Sequence, residues 1–522
     1  MFPTLKKTLM AASVCAAALL PLPALAQEAV FVLATNEVGI PSYNPITAVN
    51  TNAVFTMIYD TLVEQDADLS FHPHLAESWE ESPDGLSWVF HLKPGVTFHN
   101  GKPFNAATVV KFLEMFRASE SSYMIDAVES AEAVDDLTVK LVMKSPDPNL
   151  LYNLSSSFMT IPDPDRVTEL GEDYGISEAV GTGPFKLESF TLGQETVLVR
   201  NDDYAWASPI SENQGPPHIA RLTFREIAED STAFLELKSG GVDALLSLPT
   251  DYLGEIGAEP SLALAEIPGQ EVYYMPINVT KEPFTDIRVR QAAALAINQQ
   301  EILQSVFANY GSVADNFLIS ALPESKIETV ISYDPEKAMA LLDEAGWAMG
   351  DDGVRVKDGQ RLSVALWTQS DSVFRRLTEV VQAQLKAVGI EAAIQTFDSS
   401  VIRDEYRKGE HQLAVRSYFW NNADIVDWFF SAERLGYPNV SMLTDPKAEE
   451  LRVKAMTGSA TQEERVANFK AYHEYVTSLY AYAPIYQPEQ NMAYNKDRLK
   501  VPETIHGGSI TGTVMIDISV IE

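Results

Sequence analysis

Residues 362–397 read LSVALWTQSDSVFRRLTEVVQAQLKAVGIEAAIQTF, and this stretch decides the fold class. The apolar alternation from Leu362 to Leu366 is typical of a strand. A helix is predicted from Ser372 to Val388, with Gly389 as its stop, and a second strand from Ile390 to Phe397. A strand, a helix and a strand in this order predict parallel pairing and an α/β fold.

Signals for further helices and strands occur on both sides of this stretch. Strands and helices alternate without a low-complexity linker or an internal repeat of fixed period. The length after residue 26 is sufficient for two or three domain-sized lobes. Gly181 and Gly183 are expected at a tight turn, where glycine adopts a positive φ at low cost. The residues predicted to cap helices are Asn105, Asp286, Asp334 and Thr461.

The first 26 residues have the pattern of a secretory signal peptide. Lys6 and Lys7 precede an apolar run from Leu9 to Leu20, and Ala24-Leu25-Ala26 supplies small residues for cleavage. The run is shorter than the about 20 residues that a spanning helix needs. We therefore expect the mature chain to begin at Gln27.

Cysteine content and net charge exclude several classes of function. Cys15 is the only cysteine and lies inside the predicted signal. The mature chain therefore has no thiol for a disulfide, a metal site or a nucleophile. Removing Lys6 and Lys7 from the net charge of −35 gives −37. Such an acidic protein is not expected to bind nucleic acid or an anionic membrane.

No motif predicts an enzyme. The sequence has neither a Gly-x-Ser-x-Gly elbow nor a His-Glu-x-x-His pair. Carboxylates are so abundant that spacing alone cannot select a catalytic pair. His72-Pro73-His74 is the only close pair of histidines, and solvated histidines explain it better than a metal site does. We predict no enzymatic activity, no resident metal and no cofactor.

Four groups of motifs occur in order along nearly the whole mature chain. Together they resemble the bacterial extracellular solute-binding proteins of family 5, which serve ABC importers of dipeptides, oligopeptides and nickel. The matching segments are Tyr59-Asp60-Thr61-Leu62-Val63 with His74-Leu75-Ala76-Glu77-Ser78-Trp79; Gly181-Thr182-Gly183-Pro184-Phe185; Lys238-Ser239-Gly240-Gly241-Val242-Asp243; and Pro283-Phe284 with Val289-Arg290-Gln291-Ala292.

The resemblance implies a two-lobed periplasmic-binding-protein fold, of the Venus-flytrap class II type. Lobe I would contain residues 27–277 and 488–522, with an extra subdomain at about 76–178. Lobe II would contain residues 278–487. The chain would cross between the lobes near Ile277-Asn278 and near Gln487-Pro488, and a hinge motion would close the lobes around a ligand.

The resemblance also implies a function. The protein would work in the periplasm as a monomer, enclose a small solute between its lobes and deliver it to the permease subunits of an ABC importer. A short peptide is the expected ligand.

Asp424 and an arginine are the expected ligand contacts, because peptide-binding relatives use an aspartate for the α-amino group and an arginine for the carboxylate. Asp424 is the closest match to that aspartate and Asp427 the second choice. Either could instead be a helix cap or a surface group. Arg376 is preferred over Arg375, although both could be solvated on a helix face. Tyr418, Trp420 and Asn422 complete the predicted site.

The segment around Asp424 departs from the family pattern. Peptide binders commonly have Gly and Pro beside this aspartate, whereas here Asn421, Asn422, Ala423 and Ile425 are present. Aromatic faces combined with amides also suit a sugar. An oligosaccharide or an opine is therefore an alternative ligand. A nickel chelate is another, because nickel binders share the fold that the resemblance implies. Alternate members of the aromatic run could instead belong to the core.

Overall fold

The computed structural model of the chain describes residues 27–34, 37–147, 149–267, 269–398, 401–459 and 461–521. The predicted signal peptide, including Cys15, lies outside the described residues. The described part is a mixture of helices and strands, which confirms the predicted α/β class.

The largest sheet has seven strands from distant parts of the chain. Its central strand, Glu28–Val32, pairs in parallel with Arg221–Arg225 and with Ala244–Leu245. Phe31 of this strand is fully buried in the core of the sheet, as its apolar sequence requires. We call the part of the chain built on this sheet the first lobe. In spatial order the strands are Leu262–Ile267, Gln490–Asn495, Ala244–Leu245, Glu28–Val32, Arg221–Arg225, Glu195–Arg200 and Phe185–Thr191.

A separate four-stranded sheet belongs to the same lobe and has its own hydrophobic core. In Ser87–Leu92 every second residue is buried, because successive side chains of a strand point to opposite faces. The helix Ala106–Phe116 covers the sheet and is capped by Asn105, whose side chain accepts a hydrogen bond from the Thr108 N–H. The sheet lies within the predicted subdomain at 76–178. Its strands, in spatial order, are Ala76–Glu81, Ser87–Leu92, Thr138–Met143 and Val128–Asp135.

Two further sheets form the second lobe. In the smaller one, Ser363–Gln369 pairs in parallel with Glu391–Phe397 and with Leu413–Ala414, which confirms the predicted parallel pairing. The connecting helix, Ser372–Ala387, packs Leu377, Val381 and Leu385 into the core of the lobe. The larger sheet has the order Ser312–Val313, Tyr482–Gln487, Glu271–Pro276 and Arg416–Phe419.

The chain passes twice between the sheets of the two lobes. The strand Leu262–Ile267 belongs to the first lobe and Glu271–Pro276 to the second, so this passage precedes the one predicted near residue 277. The second passage lies between Gln487 and Gln490. The two passages are adjacent, because Gln487 Nε2 donates to the Gly269 carbonyl oxygen at 3.0 Å. A Cβ at Gly269 would meet the Pro488 carbonyl oxygen at 1.4 Å, so only glycine fits there.

The remaining elements connect or cover these sheets. None of the helices in the described part of the chain has the length and apolarity needed to cross a membrane. The other short strands are Val63–Gln65, Phe71–Pro73, Ala348–Met349, Arg355–Lys357, Gln360–Arg361, Leu499–Lys500 and Ser519–Val520. The other α-helices are Ala53–Ile58, Leu150–Ser155, Pro164–Leu170, Asp230–Ser239, Thr250–Ile256, Ile287–Leu295, Gln299–Ser305, Pro335–Glu344, Ile402–Arg407, Ile425–Phe430, Pro446–Thr457, Gln462–Ser478 and Gly512–Met515.

Candidate functional site

A cavity of about 710 Å³ lies between the two lobes. The first lobe contributes residues such as Thr56 and Tyr59, and the second lobe contributes Phe419, Trp420 and Asn421. The cavity therefore lies between the segments near residues 40–60 and near residue 420, as the resemblance implies.

The walls of the cavity combine hydroxyl groups with aromatic rings. Tyr273, Phe307 and Tyr486 form an aromatic cluster on the side of the second lobe, where the rings of Phe307 and Tyr486 stack with centroids 3.7 Å apart. Such walls can receive both polar groups and apolar side chains of a ligand. The hydroxyl-bearing residues include Thr51, Thr56, Ser155, Ser157, Ser247 and Thr511.

Acidic residues supply most of the charge in the cavity. The described lining contains five glutamates and no lysine or arginine. Because a cavity concentrates the field of the charges that line it, this one attracts positive groups. The five glutamates are Glu37, Glu64, Glu266, Glu271 and Glu489.

Glu37 is held in the wall by the segment that precedes the helix Ala53–Ile58. Asn52 caps this helix, and its Nδ2 donates to the Glu37 carbonyl oxygen at 3.2 Å. The Glu37 carboxylate accepts a hydrogen bond from the Ala53 N–H, but burial outweighs this bond and raises its pKa to about 7. Its Oε2 atom is buried and has no hydrogen-bond partner among the described residues.

Three further glutamates lie where the chain passes between the lobes. Burial raises the pKa of Glu489, and the hydrogen-bonded Glu266 raises it further. Burial also raises the pKa of Glu271, opposed by hydrogen bonds from the side chains of Ser417 and Tyr273. A carboxyl group beside a second carboxyl group is harder to ionise, which is why the neighbouring Glu266 adds to the effect of burial on Glu489.

His74 is the one histidine in the described lining, and two carboxylates hold it. Its Nε2 lies 3.2 Å from Asp60 Oδ1, and its Nδ1 lies 3.0 Å from Glu64 Oε2. Burial opposes the charged imidazole, but Asp60 and Glu64 prevail and raise its pKa to about 9. Asp60 also accepts hydrogen bonds from Thr182 and Trp206. The imidazole ring thus forms internal ion pairs with Asp60 and Glu64, and neither of its nitrogen atoms is free to bind a metal.

Of the predicted ligand contacts, Trp420 lines the cavity and Asp424 lies behind it. Trp420 Nε1 donates to Asp424 Oδ1 at 2.7 Å. Burial raises the pKa of Asp424, although the bond from Trp420 and the charge of Arg465 oppose this rise. Asp424 begins the helix Ile425–Phe430 without a side-chain capping bond. Its carboxylate therefore fixes the indole that faces the cavity.

The other three predicted residues of this segment lie outside the cavity lining. Tyr418 is buried in the core of the second lobe, and its hydroxyl donates to the Phe317 carbonyl oxygen. Asp427 is buried and forms ion pairs with Arg434 and Arg452. Asn422 belongs to a contact between the lobes that is described next. The aromatic run thus divides between core and cavity, with Tyr418 in the core and the adjacent Phe419 and Trp420 in the cavity lining, and does not alternate.

Direct hydrogen bonds join the two lobes beside the cavity. Asn421 Nδ2 donates to Gln65 Oε1 at 3.0 Å, and Asn422 Nδ2 donates to Asn149 Oδ1 at 2.9 Å. Arg465 Nη2 donates to the same oxygen of Asn149 at 3.0 Å. The structure is therefore a closed form, in which the second lobe rests on the first.

Arg375 and Arg376 are not part of the described cavity lining. Arg376 lies on the helix Ser372–Ala387, and its Nη1 forms an ion pair with Asp251 of the first lobe. Arg375, one position earlier, is exposed. In this closed form Arg376 bridges the lobes, and its role as a contact for a ligand carboxylate remains a prediction.

Sequence reasoning missed the glutamates of the cavity. A chain with 73 acidic residues offers no local motif that marks one of them. A positional signal exists for Glu37, which follows the carboxyl end of the central parallel strand, where ligands of α/β proteins commonly bind.

A comparison with known families identifies the chain. The family model for bacterial extracellular solute-binding proteins, family 5 Middle, matches residues 70–433. The chain belongs to this family. The prediction that it is a solute-binding component of an ABC importer and not an enzyme is thereby confirmed.

The relatives of this family 5 protein bind different solutes. The glutathione-binding protein GsiB of Pectobacterium atrosepticum is 28% identical over 439 residues, which cover 82% of this chain and 81% of that protein. The nickel-binding periplasmic protein of Escherichia coli is 29% identical over 431 residues and covers 78% of each chain.

Solved structures confirm the two-lobed fold of this family 5 protein. The oligopeptide-binding protein AppA of Bacillus subtilis, solved with a nonapeptide, has a TM-score of 0.69 at 23% identity. The match covers 95% of this chain and all of AppA.

Proposed function

We propose that the protein captures a short peptide in the cavity between its lobes and delivers it to the permease of an ABC importer. The observation that carries this proposal is a cavity of about 710 Å³ with walls from both lobes. Sites for small molecules typically measure roughly 300–1,000 Å³.

The chemistry of the walls supports a peptide. Hydroxyl groups and the amide of Asn421 can bond to peptide groups, while the aromatic cluster and Trp420 can receive apolar side chains. The similarity to a glutathione-binding protein points in the same direction, since glutathione is a tripeptide.

The position of the cavity explains how binding would be signalled to the permease. A solute that touches both Tyr59 and Trp420 has more contacts in the closed form than in an open one. Its differential affinity therefore shifts the equilibrium toward closure. The bonds of Asn421 and Asn422 to the first lobe support the same closed form.

We further propose that the protein works in the periplasm, as a monomer and without nucleic acid. The predicted signal peptide and the periplasmic relatives support this location. The net charge of −35 argues against binding to nucleic acid.

The proposal is tested by native mass spectrometry of protein purified from its own periplasm, followed by calorimetry with the peptide that is found and with glutathione. A bound peptide that stays intact through long incubation is expected. If an oligosaccharide, an opine or a nickel chelate is found instead, the proposal of a peptide ligand is wrong and that solute is the ligand.

Matched tryptophan variants show whether the cavity is the binding site. Trp420→Ala should weaken peptide binding at least tenfold, because the indole lines the cavity. Trp428→Ala removes a nearby, partly exposed indole that packs on Arg434, and should change the affinity less than twofold. Equal effects of the two substitutions in calorimetry would contradict binding in this cavity.

A further inference from the structure

We propose that the cavity selects a solute with a positively charged group besides the α-ammonium group that every peptide carries, and that Glu37 binds this additional group. This inference rests on the proposed function, since it specifies which solutes the same cavity accepts. It concerns the charge of the ligand and applies whether or not the ligand is a peptide.

The balance of charge in the cavity supports this proposal. The described lining includes five glutamates but no lysine or arginine that could pair with a ligand carboxylate. His74, the one histidine among the described lining residues, already pairs with Asp60 and Glu64. The neighbouring carboxyl groups of Glu266 and Glu489 add to this acidic lining. An anionic solute would meet repulsion without a compensating partner.

Glu37 is the residue that lacks a partner in this arrangement. Its carboxylate accepts one hydrogen bond, from the Ala53 N–H, and its buried Oε2 has no hydrogen-bond partner in the described part of the chain. A buried carboxylate oxygen without a partner is costly. An ammonium or guanidinium group of a ligand would supply the missing donor and the opposite charge.

The surroundings of Glu37 contain acidic and neutral groups. Tyr43 lies close enough for Glu37 and Glu226 to act on its pKa, which burial raises to about 12. The Oε2 atom of Glu226 accepts a hydrogen bond from the Gly39 N–H at 2.9 Å. No basic side chain influences the Glu37 carboxylate in the described chain. With a pKa of about 7, Glu37 can take up a proton when no solute is bound, and a cationic group of the solute would take the place of that proton.

The test is calorimetry with three tripeptides that differ only in their central side chain: Ala-Lys-Ala, Ala-norleucine-Ala and Ala-Glu-Ala. Lysine and norleucine have similar length, so their comparison isolates the charge. We expect the lysine peptide to bind at least tenfold more tightly than the norleucine peptide, and the glutamate peptide to bind most weakly. Spermidine serves as a cationic probe that is not a peptide.

Two glutamate variants assign the effect to one residue. Glu37→Gln keeps the size of the side chain and an oxygen for the Ala53 N–H. It should weaken binding of the lysine peptide at least tenfold and change binding of the norleucine peptide less than threefold. Glu114→Gln makes the same change at an exposed position on the helix Ala106–Phe116, and should leave both affinities unchanged.

The outcomes separate this inference from the proposed function. Equal binding of the three peptides, or an equal loss for all of them in Glu37→Gln, overturns the selection of a cation but not peptide capture. Binding of spermidine that depends on Glu37, without binding of any peptide, overturns peptide capture and supports the selection. Binding of neither spermidine nor any peptide overturns both.

Discussion

His74 is a buried cation, and its charge depends on two carboxylates that come from the same lobe. Asp60 and Glu64 lie on opposite sides of the ring, at 3.2 and 3.0 Å. Asp60 is in turn bonded to Thr182 and Trp206, which are distant in sequence. The ion pair therefore joins three segments of the first lobe close to the cavity, and a loss of its charge should affect the whole lobe.

Stability should decrease at alkaline pH because of this group. The pKa of His74 is raised from 6.5 to about 9 in the folded chain. Because the folded chain binds this proton more tightly than the unfolded chain does, the protonated His74 stabilises the fold. This contribution is complete below pH 6.5 and is lost as the pH rises through about 9. The loss should be on the order of 3 kcal/mol of unfolding free energy. Urea unfolding between pH 6 and pH 9.5 measures it.

Two histidine variants serve as controls for this titration. His74→Gln should remove most of the decrease in stability over this interval, whereas the exposed His218 can be replaced by Gln without changing it. An NMR titration of the His74 ring reads the same pKa in the unmodified chain. A ring that titrates near pH 6.5 would refute the assignment.

Gly181 and Gly183 are glycines for a reason that their neighbours in the sequence do not reveal. The sequence predicts a positive φ at these positions, but neither residue has one. Glycine is needed because the chain around Ile58 passes too closely. A Cβ at Gly181 would lie 2.0 Å from the Ile58 carbonyl oxygen, and one at Gly183 would lie 2.6 Å from the Ile58 carbonyl carbon. Such a contact between distant segments leaves no local signal.

At the scale of elements, the turn between the strand Arg416–Phe419 and the helix Ile425–Phe430 contains the predicted site. Trp420 and Asp424 are joined by one hydrogen bond across this turn. The sequence pointed to this segment, since aromatic residues and an aspartate follow a predicted strand, and Trp420 of the segment lines the cavity. It could not determine which side chains face the cavity, because Tyr418 and Trp420 lie on the same side of an ideal strand, and the chain turns after Phe419.

The substitution Asp424→Ala should weaken peptide binding at least tenfold, about 1.4 kcal/mol. It removes the acceptor that orients the Trp420 indole at the cavity wall, whereas a direct contact of Asp424 with the α-amino group of a peptide remains a prediction. Calorimetry with the natural ligand measures the loss. An unchanged affinity would remove Asp424 from the site.

Helix starts were predicted well because their signals are local. Asp334 caps the helix Pro335–Glu344, and Thr461 caps the helix Gln462–Ser478 with a bond from the Glu464 N–H. Each cap involves residues within three positions in the sequence. The sheet to which a strand belongs is decided by distant segments, so the sequence alone did not indicate that Glu271–Pro276 pairs with Tyr482–Gln487.

At the scale of the whole molecule, Arg376 and Asp251 join a helix of one lobe to a helix of the other. Both side chains are about half exposed. Ion pairs in such positions contribute roughly 0.2–1 kcal/mol. The pair therefore adds a small preference for the closed form and does not by itself hold the lobes together.

A double-mutant cycle distinguishes this bridging role of Arg376 from direct ligand binding. If Arg376 only bridges the lobes, Arg376→Gln and Asp251→Asn should each weaken ligand binding about twofold to fivefold. The double variant should then be no weaker than either single one. Arg375→Gln, at the adjacent exposed position, is the control. A loss beyond tenfold for Arg376→Gln alone would indicate contact with the ligand.

The strand Gln490–Asn495 lies between Leu262–Ile267 and Ala244–Leu245 in the seven-stranded sheet. The seven-stranded sheet of the first lobe therefore lacks one of its inner strands until almost the entire polypeptide has been synthesised. A protease cut or a premature stop codon before residue 490 would damage the lobe that begins at the opposite end of the gene. A fragment that ends before this strand is therefore not expected to fold into a stable first lobe.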